Sequence, residues 1–204
     1  MKLSAATRVV TGKGVGVSTD EELARRCLRG EPAATRELIA RFEGDVFAVS
    51  LKMLRHRHDA EDVAQEVFLR VFRSLKTWDP TRPLKPWVLS ITVNRCRTWL
   101  GKRARLPEPT EFLHDVPARP ADAPAGELTA ALRHVIDALR AEYREVFLLF
   151  HEQALPYEEI AAAVDRPVGT VKTWLHRARQ QVLSELQRLG HVPPTDPPPH
   201  PATR

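Results

Sequence analysis

Apolar positions recur every three to four residues through most of this chain, the period of amphipathic helices that share a core. The spacing predicts a first helix opening at Thr19-x-x-Glu22, a capping box, and stopping at Gly30. Pro32 suits the start of a second helix, because its missing N–H would lack a partner there. Leu38, Phe42, Val46 and Val49 form that helix's inward stripe, and the pattern continues to about Leu54. Asp59 reads as the N-cap of a third helix through AEDVAQEVFLRVFRSL. A fourth starts near Pro86 and runs through PWVLSITVNRCRTWL to Gly101, with Trp87, Val88 and Ile91 available for packing. Helical periodicity resumes at 127 and ends near 190. No alternating strand or hairpin pattern interrupts it, so the expected class is all-α.

The segment LPYEEIAAAVDRPVGTVKTWLHRAR, from Leu155 to Arg179, predicts a helix, a tight turn and a second helix. Tyr157, Ile160, Ala161 and Val164 recur at helical spacing. Asp165 then tolerates a left-handed conformation, and Pro167 pushes the residue before it out of the α region, so a second helix begins near Gly169 or Thr170. Val171, Leu175, Ala178 and Val182 turn inward. Lys172, Thr173, His176, Arg177 and Gln180 turn away. Cations and a Thr on an exposed helix are what a major groove accepts, because Lys and Arg reach phosphates or guanine edges and Thr meets a thymine methyl.

Two patterned blocks, 18–101 and 127–190, are separated by a stretch over 102–126 that holds several Pro and both charge signs, and it reads as a flexible tether. Residues 1–17 are expected to be a loose, disordered tail and the Pro-dense 191–204 an extended, disordered one. The expected architecture is two small helical domains joined by a Pro-rich linker, the second containing a helix-turn-helix.

Counting 100° per residue along the third helix separates its two faces. Val67, Phe68, Val71 and Leu75 share the core side, whereas Asp62, Gln65, Glu66 and Leu69 share the other. An acidic and amide strip with an exposed Leu suits a basic protein partner better than DNA. The fourth helix has the opposite character: Arg95, Arg97, Lys102, Arg103 and Arg105 crowd it and its exit, and Trp78 and Trp87 flank its Pro-stiffened lead-in. Rings beside cations suit single-stranded nucleic acid. Trp87 is expected in the core and Trp78, in the loop, as the stacking ring.

Composition narrows the field. The 204 residues carry a net charge of +5 with 43% hydrophobic and 6% aromatic residues, which fits a helical protein with a polyanionic partner. Two Cys, Cys27 and Cys96, sit far apart in separate helices, which predicts neither a disulfide framework nor a zinc site. His56, His58 and Asp59 lie close in sequence, but two His at i, i+2 on a helix face different ways, so no metal is expected. No nucleophile and base constellation and no phosphate-cradling Gly loop is visible, so no catalytic residue and no cofactor is assigned. No run of about 18 apolar residues exists, so no membrane insertion is expected, and the setting reads as cytoplasmic.

DAEDVAQEVFLRVFRSLKTWDP, PWVLSITVNRCRTWL and LPYEEIAAAVDRPVGTVKTWLHRAR, in this order, resemble the signature segments of bacterial RNA polymerase sigma factors of the extracytoplasmic-function group. The resemblance spans residues 18–190. It implies that the first block is sigma region 2, which docks on a coiled coil of the polymerase largest subunit and melts the −10 promoter element. The second is region 4, which binds the flap of the second-largest subunit and reads the −35 element. By position, Asp62, Gln65 and Glu66, with Leu69 beside them, fall on the polymerase-docking residues. Trp78, Ser90 and Asn94 fall on the −10-reading surface, which Arg97 of the same helix joins, and Lys172, Thr173, His176 and Arg177 fall on the −35-reading positions. A cognate anti-sigma factor is a common partner of this group. This chain departs from many relatives at Trp174, where Arg is frequent, at Leu84, where an aromatic is common, and at Phe150, where some carry a cation. The competing reading is a stand-alone repressor or activator that uses only the second block.

Overall fold

The computed structural model describes residues 18–104 and 126–193. Most of the expected tether over 102–126, with Arg105, and of the expected tails over 1–17 and 191–204 lies outside the described residues, whereas Lys102 and Arg103 belong to α4. All regular structure among the described residues is helical: α1 (Asp20–Leu28), α2 (Pro32–Leu54), α3 (Arg57–Ser74), α4 (Leu84–Arg103), α5 (Glu127–Ala138), α6 (Ala141–His151), α7 (Tyr157–Val164) and α8 (Val168–Arg188). None of these is long and apolar enough to cross a membrane.

Local chemistry sets the boundaries. Thr19 caps α1 by accepting from the Glu22 N–H at 3.2 Å, and Gly30, at φ +76°, makes the left-handed exit. α2 opens on Pro32 and ends where Arg55 turns left-handed. α3 starts two residues ahead of the expected Asp59 cap, because His56 Nδ1 accepts from the Asp59 N–H at 3.4 Å and so serves as the cap itself. α4 begins at Leu84 rather than near Pro86, for a reason 64 residues upstream. Asp20 Oδ2 accepts the Leu84 N–H at 2.9 Å, and Asp20 Oδ1 takes Arg41 Nη1 at 3.0 Å. One carboxylate thus ties together α1, α2 and the first turn of α4. Asp20→Ala is expected to lower stability by about 2 kcal/mol through the lost charge-assisted bonds and helix-terminus capping, read as a shift in urea midpoint. An unchanged midpoint would show that water replaces the carboxylate at no cost.

In the first block α2 is the central packing element, with α3 and α4 laid against it. Leu38, Phe42, Val46 and Val49 are all buried as their spacing predicts, opposite Val63, Val67 and Val71 of α3 and Val88, Leu89 and Val93 of α4. Phe68 is only half-buried. In the second block α7 and α8 pack beside α6. Asp165 takes the left-handed turn at φ 54°, and α8 starts at Val168, directly after Pro167. Val171, Leu175, Ala178 and Val182 are buried in register.

The two blocks are in direct contact. α4 packs against α7, and α2 approaches α6. Arg97 of α4 donates from Nε and Nη2 to Glu145 Oε2 of α6, at 3.2 and 3.0 Å, and from Nη1 to the Val164 carbonyl at 2.9 Å. Lys52 pairs with Glu152, and Arg55 Nη2 donates to the Asp137 carbonyl at 2.6 Å. Glu145 is nearly fully buried, and burial is the main cause that pushes its carboxyl up to about 7, against the pull of Arg97.

Candidate nucleic-acid and docking interfaces

The α3 strip stands out from the core as angle counting predicts. Asp62 and Gln65 are exposed, and Leu69 is 56% exposed, one of few large apolar side chains left open to water. Glu66 differs from its neighbours: it pairs with Arg95 of α4, which is only 9% exposed. Arg95 therefore does not belong to an outward cationic cluster. It lies on the α4 face of Val88, Thr92 and Cys96, and its guanidinium pairs with the half-buried Glu66. Burial without that carboxylate would strand a cation.

Around the start of α4, Trp78 is more deeply buried than its loop position suggests, and Trp87 packs half-buried against the core. Leu75–Thr77 form a single tight helical turn, and the Trp78 N–H donates to the Leu75 carbonyl at 3.1 Å, which tucks the Trp78 ring into the core at 8% exposure. Trp87 is the half-buried one. It lines a cleft of ≈ 550 Å³ between the blocks, opposite Glu158, Glu159, Ala162 and Ala163 of α7. Trp78, Arg82 and Ser90 line the same cleft. Ser90 Oγ donates to the Trp87 carbonyl at 2.7 Å. Burial, and then Glu158, raise the Glu159 carboxyl above its ordinary range. Leu84 is fully buried and does not line the cleft. Arg97, the expected DNA-facing cation, is engaged by Glu145 and the Val164 carbonyl, whereas Asn94 is exposed.

A groove of ≈ 450 Å³ between α3 and α4 escaped the sequence reading. Arg70, Arg73, Asn94, Arg95 and Thr98 line it, with Ser74 and Ile91. Arg70 and Arg73, three residues apart, share one side of α3, and that spacing was the available signal. Among the described residues neither has an ion pair. Arg103, at the helix exit, pairs with Asp59 at 2.9 Å and covers the Trp99 ring at 5.1 Å.

On α8 the exposed residues are Lys172, Thr173, His176, Arg177, Arg179 and Gln180. Thr173 Oγ1 donates to the Gly169 carbonyl at 2.9 Å, and Arg177 Nη1 reaches Tyr143 Oη at 3.4 Å. Trp174 packs half-buried against the core. Arg179, absent from the residues singled out by position, sits beside Phe150 with its guanidinium carbon 4.7 Å from the ring centroid.

Elsewhere, Cys96 is buried with its thiol 3.8 Å from Ser50 Oγ, and burial pushes it up to about 12. Cys27 and Cys96 are both free thiols. Among the described residues no group of three or more metal-ligating side chains is gathered.

Two family models match the sequence, one for Sigma-70 region 2 over residues 38–106 and one for Sigma-70 region 4 over 129–182. The ECF RNA polymerase sigma factor SigE of Mycolicibacterium smegmatis is 33% identical over 168 residues, covering 74% of this chain and 61% of its own. This chain thus spans under two thirds of that relative. The RNA polymerase sigma-H factor of Pseudomonas aeruginosa is 27% identical over 183 residues, covering 83% of this chain and 95% of its own. The ECF RNA polymerase sigma-E factor of Haemophilus influenzae is 29% identical over 184 residues, covering 84% and 97%. Among solved structures, RpoE from Bartonella quintana in complex with the anti-sigma factor NepR superposes with a TM-score of 0.66 at 22% identity, over 74% of this chain and 96% of that one. CnrH in complex with the cytosolic domain of CnrY gives 0.63 at 22%, over 83% and 97%. The structures speak for the fold. The matched regions fall on the two helical blocks in family order, and with the relatives that span both blocks they place this chain in the extracytoplasmic-function group of the sigma-70 family.

Proposed function

We propose that this promoter-specificity subunit divides its work among three surfaces. The α3 strip of Asp62, Gln65, Glu66 and Leu69 docks on the coiled coil of the polymerase largest subunit. The α4 surface, with Ser90, Asn94 and Arg97 and the Trp78 and Trp87 rings at its lead-in, receives the −10 element. The α8 face, through Lys172, Thr173, His176 and Arg177, reads the −35 element, and the second block meets the flap of the second-largest subunit. The subunit contributes binding and strand separation, not a reaction of its own, and acts in the bacterial cytoplasm. An anti-sigma protein that covers these surfaces is the regulator we expect.

One observation carries the reading. α8 buries Val171, Leu175, Ala178 and Val182 and leaves a contiguous polar and cationic face outside, while the α3 strip of Asp62, Gln65, Glu66 and Leu69 carries acidic side chains. Those opposite charges call for opposite partners. Docking and capture of an unstacked base together offset a strand-opening cost of a few kcal/mol. The engaged Arg97 adds a condition: α4 and the second block must separate before that cation meets DNA.

Run-off transcription tests this directly. Core polymerase with the purified chain is expected to start RNA at discrete sites on genomic fragments, and the chain alone is expected to bind those fragments weakly. Core polymerase that starts at the same places without the chain would overturn the assignment. Tight sequence-specific binding by the chain alone would favour a stand-alone repressor or activator.

A further inference from the structure

Among the described residues, many exposed arginines face a carboxylate. Arg25 meets Glu21 at 2.6 Å, Arg57 meets Glu61 at 2.8 Å and Arg188 meets Glu185 at 2.7 Å. Two cations of α8 are held differently. Lys172 Nζ lies 5.6 Å from the centroid of the Tyr157 ring, and Arg179 lies over Phe150. The Phe150 and Tyr157 rings are themselves stacked, with centroids 5.3 Å apart and an interplanar angle of 24°. Lys172, Tyr157, Phe150 and Arg179 therefore form one continuous ladder from α8 across α6 and α7 and back. Arg179 Nε also donates to His151 Nε2 at 3.2 Å. Burial, and then Arg179 itself, hold the His151 imidazole below its ordinary range, which suits the neutral ring that this bond requires.

The chemistry of such a holder differs from that of an ion pair. A carboxylate orients a cation and cancels its charge, whereas an aromatic face orients it and leaves the charge available to a third party. Long side chains otherwise enter a complex with full rotamer freedom, which they must lose on binding. Lys172 and Arg179 are seven residues apart, so they project within about 20° of each other and roughly two helical turns apart along the axis. Among the described residues neither has an acidic partner. Two cations aligned on one flank of a helix, fixed and uncompensated, match the phosphates of one nucleic-acid strand.

We propose that Phe150 and Tyr157 are positioning residues that pre-align Lys172 and Arg179 on the phosphate backbone of the upstream promoter element, and that Arg179 is a further DNA contact. This rests on the reading that α8 faces duplex DNA.

The test uses the full chain with core polymerase on a promoter fragment found by start-site mapping, with its upstream element intact or scrambled, across a series of KCl concentrations. Arg179→Ala is expected to weaken binding to the intact fragment about tenfold and to reduce the slope of log affinity against log salt by about 0.9, the loss of one phosphate contact. Phe150→Leu and Tyr157→Leu are each expected to weaken it roughly two- to fivefold with the slope unchanged, since the cations remain and only their alignment is lost. Phe150→Tyr and Tyr157→Phe keep the rings and are expected to bind as wild type. An unchanged slope in Arg179→Ala overturns the new contact. The platform is overturned if the Leu variants bind as wild type, if Phe150→Tyr binds as poorly as Phe150→Leu, or if the losses are equal on the scrambled fragment. Wild type that ignores scrambling would remove the promoter-reading assignment of α8 and the platform with it, an outcome distinct from failure of the platform alone.

Discussion

Asp62→Arg is expected to weaken capture of core polymerase about thirtyfold or more while leaving the thermal unfolding midpoint of the free chain unchanged. Asp62 is exposed and has no ion pair or side-chain hydrogen bond among the described residues, so reversing its charge removes nothing internal. A like charge set against a basic docking surface costs at least about 2 kcal/mol, which sets the size of the effect. Pull-down of core polymerase with the tagged chain, alongside calorimetry of the chain alone, separates docking from folding. Capture equal to wild type would mean that this strip does not face the polymerase. Leu69→Ser is expected to act in the same direction but less strongly, because it removes apolar contact without adding repulsion.

The contact between the blocks is expected to loosen as pH rises from about 4.5 to about 7, and Glu145→Gln is expected to remove that dependence. Glu145 has an ordinary value of 4.5 and is raised to about 7 where the blocks are closed. Between those values the closed form holds a proton that the separated or unfolded form has released, so the stability of the closed form falls as pH rises. The contribution is complete below about 4.5 and lost above about 7. Arg97 faces this carboxyl most closely, and Glu142 and Arg166 act on it from further away. Energy transfer between dyes placed on the two blocks, followed against pH, reads the closure. The decisive quantity is the difference between wild type and Glu145→Gln, because only that carboxyl differs between the two. Identical profiles would show that Glu145 does not control the contact.

Helix positions and inward stripes were legible because both depend on local period: the buried sets of α2 and α8 match their spacing residue by residue. Arg95 was misjudged although the same rule applied to it, since positions three and seven before it are Thr92 and Val88, both buried. Reading it as one of a cluster of cations ignored which side of α4 it occupied. The burial of Trp78 was hidden for a different reason. A loop position suggested exposure, but the short turn at Leu75–Thr77 folds the ring back inward, and no periodic signal extends over three residues. Arg97 meeting Glu145, 48 residues away, and Asp20 capping a helix 64 residues away leave no trace in local pattern at all. Nor did the sequence announce that Phe150, Tyr157 and two cations of α8 would line up, because the ladder draws its rungs from three helices.

Glu66 stands in two roles at once, on the face we propose docks on the polymerase and as counter-charge to a buried guanidinium of the neighbouring helix. A saturation screen scored only by transcript yield would therefore rank position 66 as the most intolerant of its strip for mixed reasons. Interface geography drawn from such a screen would be displaced toward α4 unless each loss were corrected for how much folded protein the cell still contained.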